Sequence, residues 1–475
     1  MRRFAWISLV AFAGFLASAA EQKPAKLPPE IQQAVGIAMA APPEFAAEAL
    51  LRLVEGGNVA GVELKRQLVE TAFGLAGRAQ HPMRLVAIPG TDADTPTGYE
   101  GRALRLKLDA VSLQSRAIEA MLNLDKNTAR NLYERFVRTK PAPLNCDVAL
   151  VPDLSDYYAM LSRLAQSVYN GADNEKNSRV AFVQTTIDQM TSHVEVAPVA
   201  NMIASLEWSP SQFEIVSGAF VAKLSSLAPD DRSFSFSSHE IESAIAGLNG
   251  RAASYNTRPE RISEAYRSYI VAQLKAPRCL TAQPLELFGE SVRSGLAPLT
   301  GDEMRTKRFE GEPKLETYWQ SAESKQIFAE CLKLRTGPEG APLPESLRNN
   351  REWKRQLSDF LTLLADWRPT AEKSESDYYH QRAIVYEALL ELTPPGDVRS
   401  RVLDEFVGFL KGSNLQSQDP VQWFWHARST LNRIRPTQPE EARRMLNAFA
   451  ASGNVVLSLE AMLDKIAPSY AMFQN

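Results

Sequence analysis

A chain of 475 residues that is 44% hydrophobic can bury a sizeable core, and its length allows two or three ordinary domains or one continuous helical array. The formal net charge is −3 and no Lys/Arg block stands out, so nucleic acid is not an implied partner. Three cysteines allow one disulfide and leave one thiol over.

Residues 1–20 read as a secretory signal. Arg2 and Arg3 precede an apolar run from Phe4 to Leu16, and Ala17-Ser18-Ala19 supplies a small-x-small cleavage pattern. The run is short for a bilayer span, so the mature chain is expected to be exported, periplasmic or extracellular, with no membrane span after cleavage. Residues 21–42 form a proline-dotted leader and a short helix, EIQQAVGIAMAA. The stretch PEFAAEALLRLVEGGNVAGVELKRQLVETAFGLAG, from Pro43 to Gly77, then carries two amphipathic patterns joined by Gly56-Gly57-Asn58. Pro43 suits a first helical turn, and Gly57 or Asn58 suits the left-handed residue that ends a helix. A helix hairpin is expected. Residues 439–455, PEEARRMLNAFAASGNV, repeat the proline start and the Gly-Asn stop.

Residues 80–101 carry three prolines and three glycines and read as a long loop. A helical stripe of Leu104, Leu108, Val111, Ser115, Ile118 and Leu122 follows, and a further helix starts behind the cap Asp125. Residues 140–154 read as an extended crossing. Ser155-Asp156-Tyr157-Tyr158 and Ser376-Asp377-Tyr378-Tyr379 each open a helix. Ser209-Pro210-Ser211-Gln212 and Asp419-Pro420-Val421-Gln422 share an oxygen cap, a proline at the first helical position and a glutamine at the third. Residues 229–240, PDDRSFSFSSHE, and 336–350 read as loops, with a short strand as an alternative for Ser233 to Ser237. Helical spacing dominates the remainder. The fold class is therefore all-α, an array of antiparallel helix hairpins forming an α-solenoid or superhelix, divided into an N-terminal array at 43–228 and a C-terminal array at 229–475 that can be continuous with it.

Hairpins with a Gly-Asn turn resemble tetratricopeptide-type repeats, and Phe45 to Gln80 resembles the N-terminal region of uncharacterised secreted bacterial helical proteins. The Trp-x-x-Leu-Gly-x-x-Tyr signature and a period of about 34 residues are absent. The resemblance implies an α-solenoid and no functional residue. On that architecture the expected function is a binding or scaffold module for a protein, peptide or glycan partner of the cell envelope. The alternative is an α/α-toroid carbohydrate-active enzyme, a glycosidase or polysaccharide lyase.

No catalytic residue, metal site or cofactor is expected. His239-Glu240 opens like a zinc-binding helix, but position 243 is serine. Asp92-Ala93-Asp94 opens like a calcium loop, but Pro96 occupies the third ligand position. Glu316 near Tyr318 and Trp319, and Asp366 beside Trp367, are acids next to aromatics whose ordinary role is a solvated helix face. Cys146 and Cys279 both sit in proline-containing linkers and are the expected disulfide, with Cys279 to Cys331 as the other pairing considered. Trp423, Phe424 and Trp425 are consecutive on one helix and span about 200° of its circumference. Either that helix is sandwiched, or one ring is exposed and forms a ligand surface of Trp423, Trp425 and His426 with Arg428 close by.

Overall fold

The computed structural model describes residues 27–88, 94–169, 178–279, 309–310, 314–336, 343–348, 350–368, 375–413 and 419–467. The expected signal at 1–20 lies outside them. Among the described residues there are nineteen α-helices and two small two-stranded sheets, so the chain is all-α in class. None of these helices is long and apolar enough to cross a membrane.

The first helices follow the expected punctuation. α1 (Pro29–Met39) and α2 (Pro43–Glu55) each begin on proline, where the missing N–H removes no helical bond. Gly57, at φ +73°, turns the chain toward α3 (Val62–Ala76). β1 (Leu85–Ala87) comes next, and α4 (Pro96–Leu104) lies inside a stretch that composition marks as loop, because Thr95 caps it by accepting from Gly98 N. The stripe from Leu104 to Leu122 is not one helix. The chain turns at Lys107, φ +57°, and α5 (Ala110–Leu122) restarts behind the cap Asp109. α6 (Lys126–Arg135) starts behind Asp125, and β2 (Leu150–Pro152) ends the extended crossing by pairing antiparallel with β1.

α7 (Ser155–Ser167), α8 (Ser178–Asp188), α9 (Val196–Ser205) and α10 (Pro210–Ser226) follow, the last closed by the reciprocal Ser209 and Gln212 capping bonds. Residues 229–240 are neither loop nor strand. They begin α11 (Asp231–Ser254), capped by Asp230, with Phe234 and four serines buried against neighbouring elements. One of those serines, Ser235, receives a bond from the buried Arg278, so the polar composition faces inward where it looks like a solvated loop. α12 (Pro259–Lys275) leads to β3 (Arg278–Cys279), which pairs with β4 (Phe309–Glu310). The C-terminal part holds α13 (Ala322–Arg335), α14 (Arg351–Asp366), α15 (Glu375–Leu392), α16 (Asp397–Gly412), α17 (Pro420–Ile434), α18 (Pro439–Ala450) and α19 (Val455–Ile466). Gly453, at φ +70°, occupies the turn position that Gly57 occupies after α2.

Neighbouring helices pack in sequence. α2 packs on α3, α3 on α5, α5 on α7, α7 on α9, α9 on α11, and α11 on α12. In the C-terminal part α13 packs on α15, α15 on α16, α16 on α18, and α18 on α19. α19 then packs on α1 and α2, and α17 packs on α4. The two ends of the described chain therefore meet. One apolar core runs through both parts, from Ile31 to Leu463.

The junction of the ends is held by buried charge. Arg428 on α17 donates to Glu460 on α19 at 2.6 Å and lies 3.5 Å from Glu48 on α2, while Arg52 on α2 donates to Glu460 at 3.2 Å. Arg52 also bonds the Ala467 carbonyl at 2.8 Å, and Asn58 bonds that of Ile466 at 2.6 Å. Two arginines and two glutamates neutralise one another where water is excluded. Burial alone would raise the Glu48 carboxyl, but Arg428, Arg52 and Arg116 together hold it below its ordinary value.

Candidate functional site

Beside this junction the start of α17 faces the loop after α3. Asp419 caps α17, its Oδ1 accepting from the Val421 and Gln422 backbone N–H groups at 2.9 and 3.0 Å. Its other oxygen is left to face outward. Oδ2 meets His81 Nε2 at 2.6 Å and accepts from Gln80 Nε2 at 3.3 Å. His81 is placed by its own carbonyl, which accepts from Ala110 N where α5 begins. Glu44 in the first turn of α2 and Glu100 on α4 complete the group.

These four groups hold protons differently. Burial raises both Glu44 and Glu100 above the usual carboxylate range, with the Asp419 charge adding to the rise at each. Burial would also raise Asp419, but the His81 bond and the two backbone N–H bonds outweigh it and hold Asp419 low. Burial disfavours charge on His81, yet Asp419, Glu100 and Glu44 together raise it. The cluster thus sets an imidazole and a carboxylate shifted toward their charged forms beside two carboxyls shifted toward the neutral acid. Such a set can accept hydrogen bonds, donate them and move a proton.

A second layer lies beneath. His380 and Glu387 are two helical turns apart on α15, so they share a face, and His426 of α17 enters between them. His426 Nδ1 bonds Glu387 Oε1 at 2.9 Å, and His426 Nε2 bonds His380 Nδ1 at 2.9 Å. Burial, and then the neighbouring His426, push His380 down to about 3. Aromatic rings wrap the pair. Tyr99 of α4 stacks on His426 at 5.3 Å between centroids, Tyr318 stacks on His380 at 5.9 Å, and Tyr379 meets His426 edge-on at 5.8 Å. The Arg102 guanidinium lies 4.2 Å from the Tyr99 ring centre.

The ligand surface expected at Trp423, Trp425 and His426 is reduced to Trp425. Trp423 and His426 are fully buried, and Phe424 and Arg428 nearly so, because α17 is sandwiched by α4, α15 and α18. Trp423 Nε1 bonds Ser413 Oγ, and Phe424 meets Phe45 of α2 edge-on at 5.1 Å. Trp425 is half-buried and packs edge-on against Tyr99 at 5.5 Å. Cys146 and Cys279 form a disulfide with Cα atoms 5.4 Å apart, and Cys331 is a buried free thiol pushed up to about 11 by burial. Glu316, Asp366, His239 and Glu240 are exposed, and of the calcium-like start only Asp94 is described. Among the described residues no three His, Cys, Asp or Glu side chains gather as a metal-binding group.

Sequence reasoning passed over His81, Glu44, Glu100, Tyr99 and Glu387 as site residues, and it set aside His380, in the run Asp377-Tyr378-Tyr379-His380, because helical spacing turns successive residues to different faces. His81 and Asp419 are 338 positions apart, so no local spacing joins them. The available signal was Asp419 itself, a helix cap with a second oxygen to satisfy. Neither a protein-family model nor a curated protein matches this chain.

Proposed function

We propose that the protein is an exported helical-repeat binding module, an α-solenoid of tetratricopeptide-like hairpins that holds a protein, peptide or glycan partner of the cell envelope. The observation that carries the reading is the seam where the chain ends meet. There a half-buried Trp425 ring and the partly exposed Asp419, His81 and Glu100 are offered by different helices and one loop. An aromatic face beside carboxyl groups suits a partner rich in hydroxyl or ammonium groups. The test is retention of envelope components and array glycans by the mature chain, compared with Trp425→Ala and Asp419→Asn. Loss of a retained component in both variants supports the seam. Retention unchanged in both removes it.

One observation favours a second reading, an α/α-toroid carbohydrate-active enzyme. The ends of the helical array meet, and at their meeting Glu44 is raised while Asp419 is lowered, the division that acid and base roles require. Release of new reducing ends or unsaturated sugars from envelope polysaccharides, abolished by Glu44→Gln, would replace the binding reading with this one.

A further inference from the structure

Trp367, at the end of α14, brings together two arginines that pair with no carboxylate. Its carbonyl accepts from Arg368 Nη1 at 3.0 Å and from the Tyr378 hydroxyl of α15. Tyr378 Oη in turn accepts from Nη1 of Arg382, one turn along α15, at 2.8 Å. The two guanidiniums are thus joined through one carbonyl and one phenol. Among the described residues neither forms an ion pair with Asp or Glu, and the groups that act most on the Arg382 charge are the Tyr386 and Tyr378 hydroxyls. Glu405, which acts on Tyr386, is taken by Arg401 at 3.1 Å. The C-terminus of α14 contributes roughly half a negative charge, so about one and a half positive charges remain without a counter-charge.

The surroundings of these charges are aromatic. Arg382 Cζ lies 5.1 Å from the Phe409 ring centre of α16, its Nη2 reaches the Tyr386 hydroxyl at 3.5 Å, and its Nε is buried without a hydrogen-bond partner. Trp367 meets Tyr378 edge-on at 5.0 Å. Trp367, Tyr378, Arg382 and Phe409 are half-buried and Arg368 is exposed, so the group opens at the surface. Guanidinium groups hold oxyanions by charge-assisted hydrogen bonds, and ring faces beside them pack on an apolar body. We propose that Arg368 and Arg382 bind the oxyanion, a carboxylate or phosphate, of an organic ligand whose apolar part packs on Trp367 and Tyr378. Position 382 lies about 200° around α15 from position 380, so this site is separate from the seam and does not depend on the reading made there.

The test is titration calorimetry of the mature chain with benzoate, phenyl phosphate, inorganic phosphate and benzyl alcohol. At least one of the two aromatic anions is expected to bind, the tighter identifying the oxyanion, with inorganic phosphate and benzyl alcohol about tenfold weaker or more. Arg368→Gln removes an exposed charge without disturbing the core and should weaken that anion about tenfold, as should Arg382→Gln. Arg443→Gln, in an exposed pair on α18, should leave it unchanged. Circular dichroism melts report folding, and if Arg382→Gln fails to fold, Arg368→Gln decides alone. Wild-type affinity in Arg368→Gln, or no binding of either aromatic anion, overturns the site. Benzyl alcohol binding as tightly as the aromatic anions overturns the role of the arginines, and inorganic phosphate binding as tightly as phenyl phosphate overturns that of the rings.

Discussion

Replacing Glu460 with alanine removes the acceptor shared by Arg52 and Arg428. Its Oε2 lies 3.2 Å from Arg52 and 2.6 Å from Arg428, and all three side chains are 3–4% exposed. After the change Arg428 keeps only Glu48 at 3.5 Å, and Arg52 keeps only the Ala467 carbonyl among the bonds described above. One buried positive charge is then uncompensated. Breaking a buried pair from one side costs about 3–5 kcal/mol, against about 5–15 kcal/mol of stability for a typical protein. The assay is urea denaturation with hydrogen exchange read by segment, because a chain of this length need not unfold in one step. The loss should concentrate in α1, α2 and α19, leaving α11 and α12 protected. As a control, Glu440→Ala removes the exposed pair with Arg443, and it should leave the unfolding midpoint unchanged. A Glu460→Ala loss no larger than the control, or protection lost evenly along the chain, would refute the clamp between the chain ends.

Gly453→Ala should destabilise by about 1–2 kcal/mol, because φ is +70° and a Cβ there would meet nothing, so the whole cost is backbone. Gly247→Ala meets equally open space inside α11 and should stabilise by about 0.5–1 kcal/mol, so like signs in a thermal melt would contradict the turn geometry. Converting Cys146 and Cys279 to alanine opens a link across a sequence separation of 133 and should cost about 5 kcal/mol in the chain-entropy model; a midpoint unmoved in the double variant would show that the bridge restrains nothing. The pairing of His81 with Asp419 should show in stability against pH. The His81 value is raised, so its contribution is full below about 6.5 and lost as pH rises through the raised value; that of Asp419, lowered, is full above about 3.8 and lost as pH falls through its depressed value. His81→Asn should remove the alkaline limb and also make the acid limb shallower, because the His81 bond helps hold Asp419 low; an alkaline limb of wild-type steepness in that variant would assign it to another group.

The parts of the fold legible in the sequence are those decided within one helical turn. Gly57 and Gly453 need only their own backbone, Asp125 needs the N–H groups two and three residues on, and Ser209 and Gln212 bond each other. Residues 229–240 defeat the same rules because their serines and Asp231 look solvated. Their partners come from elsewhere: Arg278 donates to Asp231 and Ser235, and Ser192 donates to Ser233. The break inside the stripe from Leu104 to Leu122 was hidden for a different reason. Lys107 takes a left-handed conformation that glycine or asparagine would have announced.

The seam was illegible because it exists only when the chain ends meet. The three consecutive aromatics of α17 showed that this helix has three directions to satisfy, and packing gives Trp423 to α15, Phe424 to α2 and Trp425 to Tyr99 of α4. Asp419 stands at the head of that same helix, so the packing that buries Trp423 and Phe424 also carries its free oxygen to His81. Position at the site is therefore inherited from the core. Substituting Phe45, the α2 ring that receives Phe424, would disturb His81 and Asp419 through the seating of α17 without touching either. A core substitution that alters a surface pair in this way separates a site built by closure of the chain ends from one built by a local motif.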